Sequence, residues 1–459
     1  MSLILRSSFS SSRTFAAYAP LKFFLGYLLF TLVLAIGGPT KYYQFPIGKT
    51  TIFMVVAMVV MTAGYMFGLE TKMSTTRKGS SGSGLFVRRM FDLSLALSLG
   101  VLAISIVNSI VTGNLNTDFS SIGEAYLSGY ENYERNTGNY SLDFIIYTIS
   151  LPFNFISLVL GFYYFSTLNV ARKWALTIFA VSSLLYYVLG TGKQKQLGDI
   201  VIYLLTVAAL KYGARGRPIK IKWILAVAGL GIVALLAFVA VLGQRYGAIG
   251  VDISNVNRRV LDRIFIDTGH PVFAIFGVEY GLNLSMFLSY LSQGYYGLGL
   301  ALDADWHWTR FQSFSYSISV ITNRLFGWEW QWPNSYVYRI GLETGWGESK
   351  WHTVFTHFAN DFTFPGTIVL FGMFAYVFAR SWLAAIRYEN PFAIMMFSLL
   401  ALGAFFVPAN NQLLHTPGAL LTTLMVSILY IVQGPRFNIP EFLRRDRPVW
   451  RRKRMARRL

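Results

Sequence analysis

The chain has 459 residues, of which 54% are hydrophobic and 13% charged, with a formal charge of +19 and a mean hydropathy of +0.47. Soluble domains carry roughly 25% charged residues, so a large water-soluble globule is excluded. The absence of cysteine also excludes disulfides, thiolate metal sites and cysteine nucleophiles.

In chain order, residues 1–20 form a basic amino-terminal segment. Arg6, Arg13 and Lys22 flank the first apolar run, and Gly37-Gly38-Pro39 after it reads as a turn. No small-residue cleavage site follows, so the run is expected to be a retained span and not a signal peptide. Hydrophobic runs then recur at 21–38, 51–69, 91–112, 144–166, 174–190, 199–212, 223–243, 363–382, 391–408 and 418–433. A helix needs about 20 residues to cross a bilayer. The expected fold is therefore all-α, a polytopic transmembrane helical bundle of about 10 to 12 spans. Spans 1–7 lie within 21–243 and spans 8–10 within 363–433. The run 271–291 contains Glu279 and several glycines, and reads as re-entrant, interfacial, or a tight pair of crossings. Lys78 to Gly84 is a flexible connector.

Charge orients this bundle. With the amino terminus in the cytoplasm, the inner segments hold 27 of 40 basic and 5 of 21 acidic residues. The inner face then stands at +22 and the outer face at −3, as the positive-inside rule requires. Both termini are expected to be cytoplasmic. The tail 434–459 has nine basic residues between Arg444 and Arg458 and suits anionic lipid head groups; nothing else supports nucleic-acid binding.

The longest connection, residues 244–362, is expected outside as a large loop of short helices, and long ordered connections are commonly functional. Seven of the eleven tryptophans lie between Trp306 and Trp351. They suit a membrane-interface belt, or flat platforms for sugar rings, for which Trp328, Trp330, Trp332 and Trp346 are candidates. All five histidines lie on the outer side. His352, His357 or Glu343 could deprotonate a hydroxyl. His352 and His357 are five apart, off the i, i+4 spacing of paired metal ligands, so no metal is expected. Asp361, before Phe362-Thr-Phe-Pro-Gly366, reads as an N-cap opening a span with Pro365 in its first turn, or as a carboxylate that orients the base.

Outward basic residues run against the orienting rule and ask for an anion. Lys193 and Lys195 stand in a Gly-bounded turn, Arg245 follows the seventh span, and Arg258, Arg259 and Arg263 fit a short amphipathic helix. Together with Arg339 they could hold a diphosphate through charge-assisted hydrogen bonds. Snorkelling or lipid contact accounts equally for any one of them.

Over residues 180–433 this order of features resembles the Wzy-type oligosaccharide repeat-unit polymerases of the O-antigen polymerase and ligase superfamily. The residues carrying the likeness are Gly190-Thr-Gly-Lys-Gln-Lys, the large late loop, and His357-Phe-Ala-Asn-Asp-Phe-Thr-Phe-Pro-Gly366 opening a span. Arg258 and Gly269 also keep an Arg-to-Gly spacing of eleven used in that family. Here lysines stand where an arginine is usual, and Thr363 and Pro365 where small residues are commoner. The resemblance implies a GT-C-like membrane glycosyltransferase in a bacterial cytoplasmic membrane. Such an enzyme transfers a growing glycan from polyprenyl diphosphate to a hydroxyl of the next lipid-linked repeat unit, without cofactor or metal. Its implied partners are lipid-linked donor and acceptor, membrane lipids, a chain-length regulator and a flippase. The rivals are an O-antigen ligase, a lipid-linked oligosaccharide transporter or flippase, and a non-catalytic assembly partner.

Overall fold

The computed structural model describes residues 11–71, 82–113, 115–116, 118, 121–127, 142–190, 192, 195–215, 221–248 and 263–433. It is an all-α, multi-pass membrane protein: eight helices among the described residues are long and apolar enough to cross a bilayer. The helices are α1 (Ser11–Gly37), α2 (Ile47–Glu70), α3 (Gly82–Val111), α4 (Leu142–Tyr164), α5 (Val170–Leu185), α6 (Lys195–Arg215), α7 (Ile221–Ala248), α8 (Pro271–Ser292), α9 (Gly294–Asp303), α10 (Tyr316–Phe326), α11 (Tyr336–Thr344), α12 (Val354–Tyr388), α13 (Pro391–Phe406) and α14 (Pro417–Gln433). A two-stranded antiparallel ribbon pairs β1 (Thr40–Tyr42) with β2 (Ile264–Ile266). The expected run 223–243 falls on α7, and the last two runs fall on the shorter helices α13 and α14.

Small residues set the closest helix approach. Added methyls at Gly64 and Gly68 of α2 would meet the backbone of Gly372 and Tyr376 on α12, so the two helices touch backbone to backbone. Around this seam the core is aromatic, with Phe378 stacked on Phe397 at 4.7 Å. Helix α13 is the most enclosed, buried throughout Pro391–Leu400. Asn390 caps it by accepting from Phe392 N at 2.9 Å and Ala393 N at 3.3 Å, with Pro391 in the first turn, where no amide hydrogen is needed.

The two ends of the bundle differ in chemistry. At the end away from the ribbon, Arg172 makes a paired contact to Asp92 at 2.6 and 2.7 Å. There too Lys211 donates to the Phe162 carbonyl at 3.2 Å, and Arg380 to the Thr71 carbonyl. The ribbon end carries the loops, the short helices and most of the buried polar groups. Helix α8 begins five residues after β2, is broken at Gly277 (φ 73°), and in its second half offers the Ser285 carbonyl to Thr40 Oγ1 at 3.3 Å. Both halves of α8 therefore lie beside the same ribbon. Arg263, expected on a short helix, instead turns the chain into β2 with φ 65°.

Helix α12 is two pieces. Its N-cap is Thr353, whose Oγ1 accepts from Thr356 N at 3.4 Å, and the helix breaks at Thr363 (φ 59°, ψ 168°). The span restarts at Phe364 with Pro365 in its first turn, as expected. Asp361 is not the cap: it lies in the last turn before the break and serves the loop above it.

Candidate functional site

A cavity of about 110 Å³ lies among α4, the end of α5, α6, α13 and the loop leading into α14. Its walls combine apolar residues (Leu151, Phe155, Leu399, Leu402) with polar ones (Asn154, Gln196, Asp199, Gln412, Thr416, Thr423). At its mouth Lys195 donates to Asp199 Oδ2 at 2.7 Å. The lysine side chain is 58% exposed and the aspartate 9%. Asp199 Oδ1 and Asn154 Oδ1 are buried without a partner among the described residues. A buried polar atom lacking a partner costs about 1–3 kcal/mol, so this hollow is suited to a ligand that brings hydrogen bonds of its own.

Local sequence builds this mouth. The last turn of α5 widens into a π-helix over Tyr186–Gly190, a distortion often found at functional sites. Gly192 follows at φ 64°, and a Cβ there would strike the Ile122 carbonyl and Tyr126. Only glycine lets the turn seat on the helical stretch 122–127. Arg245, near the end of α7, lies over the same Tyr126 ring at 3.5 Å, a strong cation–π distance, and its Nε has no partner among the described residues. Tyr126 therefore packs against both Gly192 and Arg245.

A second polar cluster sits where α12 breaks. Asp361 Oδ1 accepts from Thr309 Oγ1 at 2.6 Å and Phe311 N at 2.7 Å, and Oδ2 from Phe314 N at 2.7 Å. These bonds hold a loop in which Arg310 and Phe311 both take positive φ (54° and 58°). Asn360 Oδ1 accepts from Tyr336 N at 2.8 Å, while its Nδ2 donates to the Ser313 carbonyl at 3.0 Å. Trp306 Nε1 donates to the Ala359 and Asn360 carbonyls at 3.0 and 3.1 Å. This corner organises the outer loop.

Beside it, three imidazoles meet, His352 and His357 buried and His415 half-buried. The His357 ring is 6.5 Å from His352 and 5.5 Å from His415, and Trp332 packs on His357 and His415 at 6.5 and 6.1 Å. Burial lowers His352 and His415 to about 4, disfavouring the charged ring. Among the described residues no three His, Cys, Asp or Glu side chains are placed to hold a metal ion.

The sequence-derived candidates separate accordingly. Lys195 lines the cavity, and Arg245 stacks on Tyr126, against which Gly192 also seats, without lining the cavity itself. Lys193 and Arg258 lie outside the described residues. Arg339 is elsewhere: it donates to the Asn334 carbonyl at 3.2 Å and to the Asp305 carbonyl, positioning the outer loop. His352 and His357 are 2% and 3% exposed, too enclosed to meet a substrate hydroxyl in this conformation, and Glu343 is exposed on α11. Two of the four tryptophan platforms are corrected. Trp332 is 2% exposed and Trp346 0%. Trp332 donates to Glu348, and Trp346 packs edge-on to Tyr296 at 4.8 Å. Neither offers a face to a sugar, whereas Trp328 and Trp330 are exposed.

Asp199, Asn154 and Gln412 are the cavity residues that sequence reading missed. Asp199, four residues after Lys195 at the head of an apolar helix, carried the readable signal. No protein-family model, curated protein or solved structure matches the chain, so the functional reading rests on these residues.

Proposed function

We propose that the chain is a membrane glycosyltransferase that polymerises polyprenyl-diphosphate-linked oligosaccharide repeat units, with the cavity at Lys195 and Asp199 as its reaction site. In this reading the ribbon end faces outward, both termini and the basic end face the cytoplasm, and the bundle is a GT-C-like arrangement of about ten spans in a bacterial cytoplasmic membrane. Helix α8 then makes no net crossing, because both its halves lie beside the ribbon, and the charge-derived orientation is kept. The observation that carries the reading is a polar hollow with unmet hydrogen-bonding capacity and a lysine at its mouth, walled by apolar helices. The unmet oxygens of Asp199 and Asn154 are acceptors suited to glycan hydroxyls, and Lys195 is the cation suited to the diphosphate.

In the proposed step an acceptor hydroxyl attacks the anomeric carbon of the donor glycan. The bond from that carbon to the diphosphate oxygen breaks, and the electron pair leaves with the diphosphate. Lys195, assisted by Arg245, offsets the growing negative charge. The acceptor's proton passes to Asp199, whose Oδ1 lacks a partner, so a carboxylate replaces the buried histidines as the candidate base.

Purified protein in liposomes, given only lipid-linked repeat units, is expected to make ladders of increasing length. No ladders from repeat units alone, with single transfers once a lipid core acceptor is added, would identify a ligase. The Lys195–Asp199 pair also favours a second reading, because ionisable groups within spanning helices mark transport paths. A transporter would move a fluorescent lipid-linked oligosaccharide across the same liposomes and make no new glycosidic bond.

A further inference from the structure

Helix α10 turns its hydroxyls inward and leaves apolar side chains exposed at its end. Ser317, Ser319 and Thr322 are buried, while Leu325 and Phe326 at its end are 74% and 64% exposed. The inward hydroxyls are in use: Ser317 Oγ donates to the His415 carbonyl at 2.6 Å and Thr322 Oγ1 to Gln312 Oε1 at 3.1 Å. Ser315 caps the helix from the same side, accepting from Ile318 N at 3.3 Å. A helix bathed in water shows its hydroxyls and hides its leucines. In its last turn this one exposes Leu325 and Phe326 alongside Asn323 and Arg324 while its hydroxyls face inward, a mixture that suits an interface with an apolar and a polar side.

The exposed side chains extend beyond the helix. Trp328 and Trp330 follow it, and Trp308 and Phe311 stand on the preceding loop, all between 43% and 53% exposed. Phe311 packs on Phe362 at 5.4 Å, one residue before the break from which α12 continues as a span. From the first turn after the break, Pro365, Val369 and Met373, spaced four apart on one helix face, are all exposed, the last two at 60% and 59%, along that membrane-spanning surface. The apolar surface therefore runs from the flank of a span onto the outer loop. Arg310 and Glu329 pair at 3.2 Å beside it, with both side chains exposed as at a head-group boundary.

We infer that α10 and the segment Trp328–Trp330 lie in the outer interface of the bilayer, so that the loop is docked on lipid by its apolar side while its hydroxyls face the protein. The occupant is the lipid itself, because the patch continues a surface that already faces acyl chains. This inference does not depend on the polymerase reading.

The cysteine-free chain allows a direct test. The full-length variants Leu325→Cys, Phe326→Cys and Ser349→Cys, each spin-labelled, are reconstituted in phosphatidylcholine–phosphatidylglycerol vesicles. Ser349 is exposed on the same loop and outside the patch. Labels at 325 and 326 should collide with oxygen in preference to a water-soluble nickel chelate, with a ratio about tenfold above that at 349, as for an interfacial helix. Two cysteine positions keep the test readable if one variant aggregates. Equal nickel accessibility at all three positions would overturn the inference. So would dipolar broadening between labels at 325, which would place a second copy of the chain on this face.

Discussion

Two polar clusters occupy the ribbon end, and they differ in what their side chains have left to give. At the break of α12 both oxygens of Asp361 are taken by loop donors, and Asn360 is likewise engaged. Around Lys195 one oxygen of Asp199 and that of Asn154 lack partners among the described residues, and both side chains line a cavity. The first cluster spends its chemistry on folding. The second holds it in reserve, and binding a ligand needs that reserve.

The comparison breaks most sharply at Asp361. Asp361→Ala leaves three donors unpaired, the buried Thr309 hydroxyl and the half-buried amides of Phe311 and Phe314, so a loss of roughly 2–4 kcal/mol is expected. The check is the thermal midpoint in detergent, which should fall more than for any cavity variant. Gly64→Ala forces α2 and α12 apart and should cost about 1–3 kcal/mol by overpacking, read on the same melt.

Acid sharpens the comparison. His352 and His415 are neutral when folded, with values near 4, while the unfolded chain takes up these protons near 6.5. Their contribution is therefore intact above about pH 6.5 and lost as pH falls towards 4. The thermal midpoint should drop over that interval, and His415→Gln should shallow the slope. The smallest effect belongs to Arg339→Ala, about 1 kcal/mol through lost hydrogen bonds to carbonyls. Because Arg339 is committed to the loop backbone, glycan chain length should change little in any assay where the wild type makes ladders.

Much of the bundle was legible because apolar runs are local: each run that lies in described residues falls on a helix, and a span with Pro365 in its first turn followed from the residue types there, although the helical turns before the break did not. What escaped depends on contacts distant in sequence. Asp361 read as a cap because capping is a local pattern, yet its partners lie some fifty residues away, at Thr309, Phe311 and Phe314. Trp330 and Trp332 are two positions apart and indistinguishable in composition, but only Trp332 turns inward onto the histidines. The inward turn of the α10 hydroxyls is invisible until the fold shows which side its serines face. Lys195 was found because a lysine in a Gly-bounded turn is conspicuous. Asp199 was passed over as part of a span.

The central claim is that Lys195 and Asp199 act on a substrate and do not merely hold helices together. The double variant Lys195→Met with Asp199→Leu removes both charges together, and replacing such a pair by apolar residues is often neutral for stability. Reconstituted with lipid-linked repeat units, it should melt within about 1–2 kcal/mol of the wild type and make no ladders. Ladders of unchanged length from that variant would contradict the account.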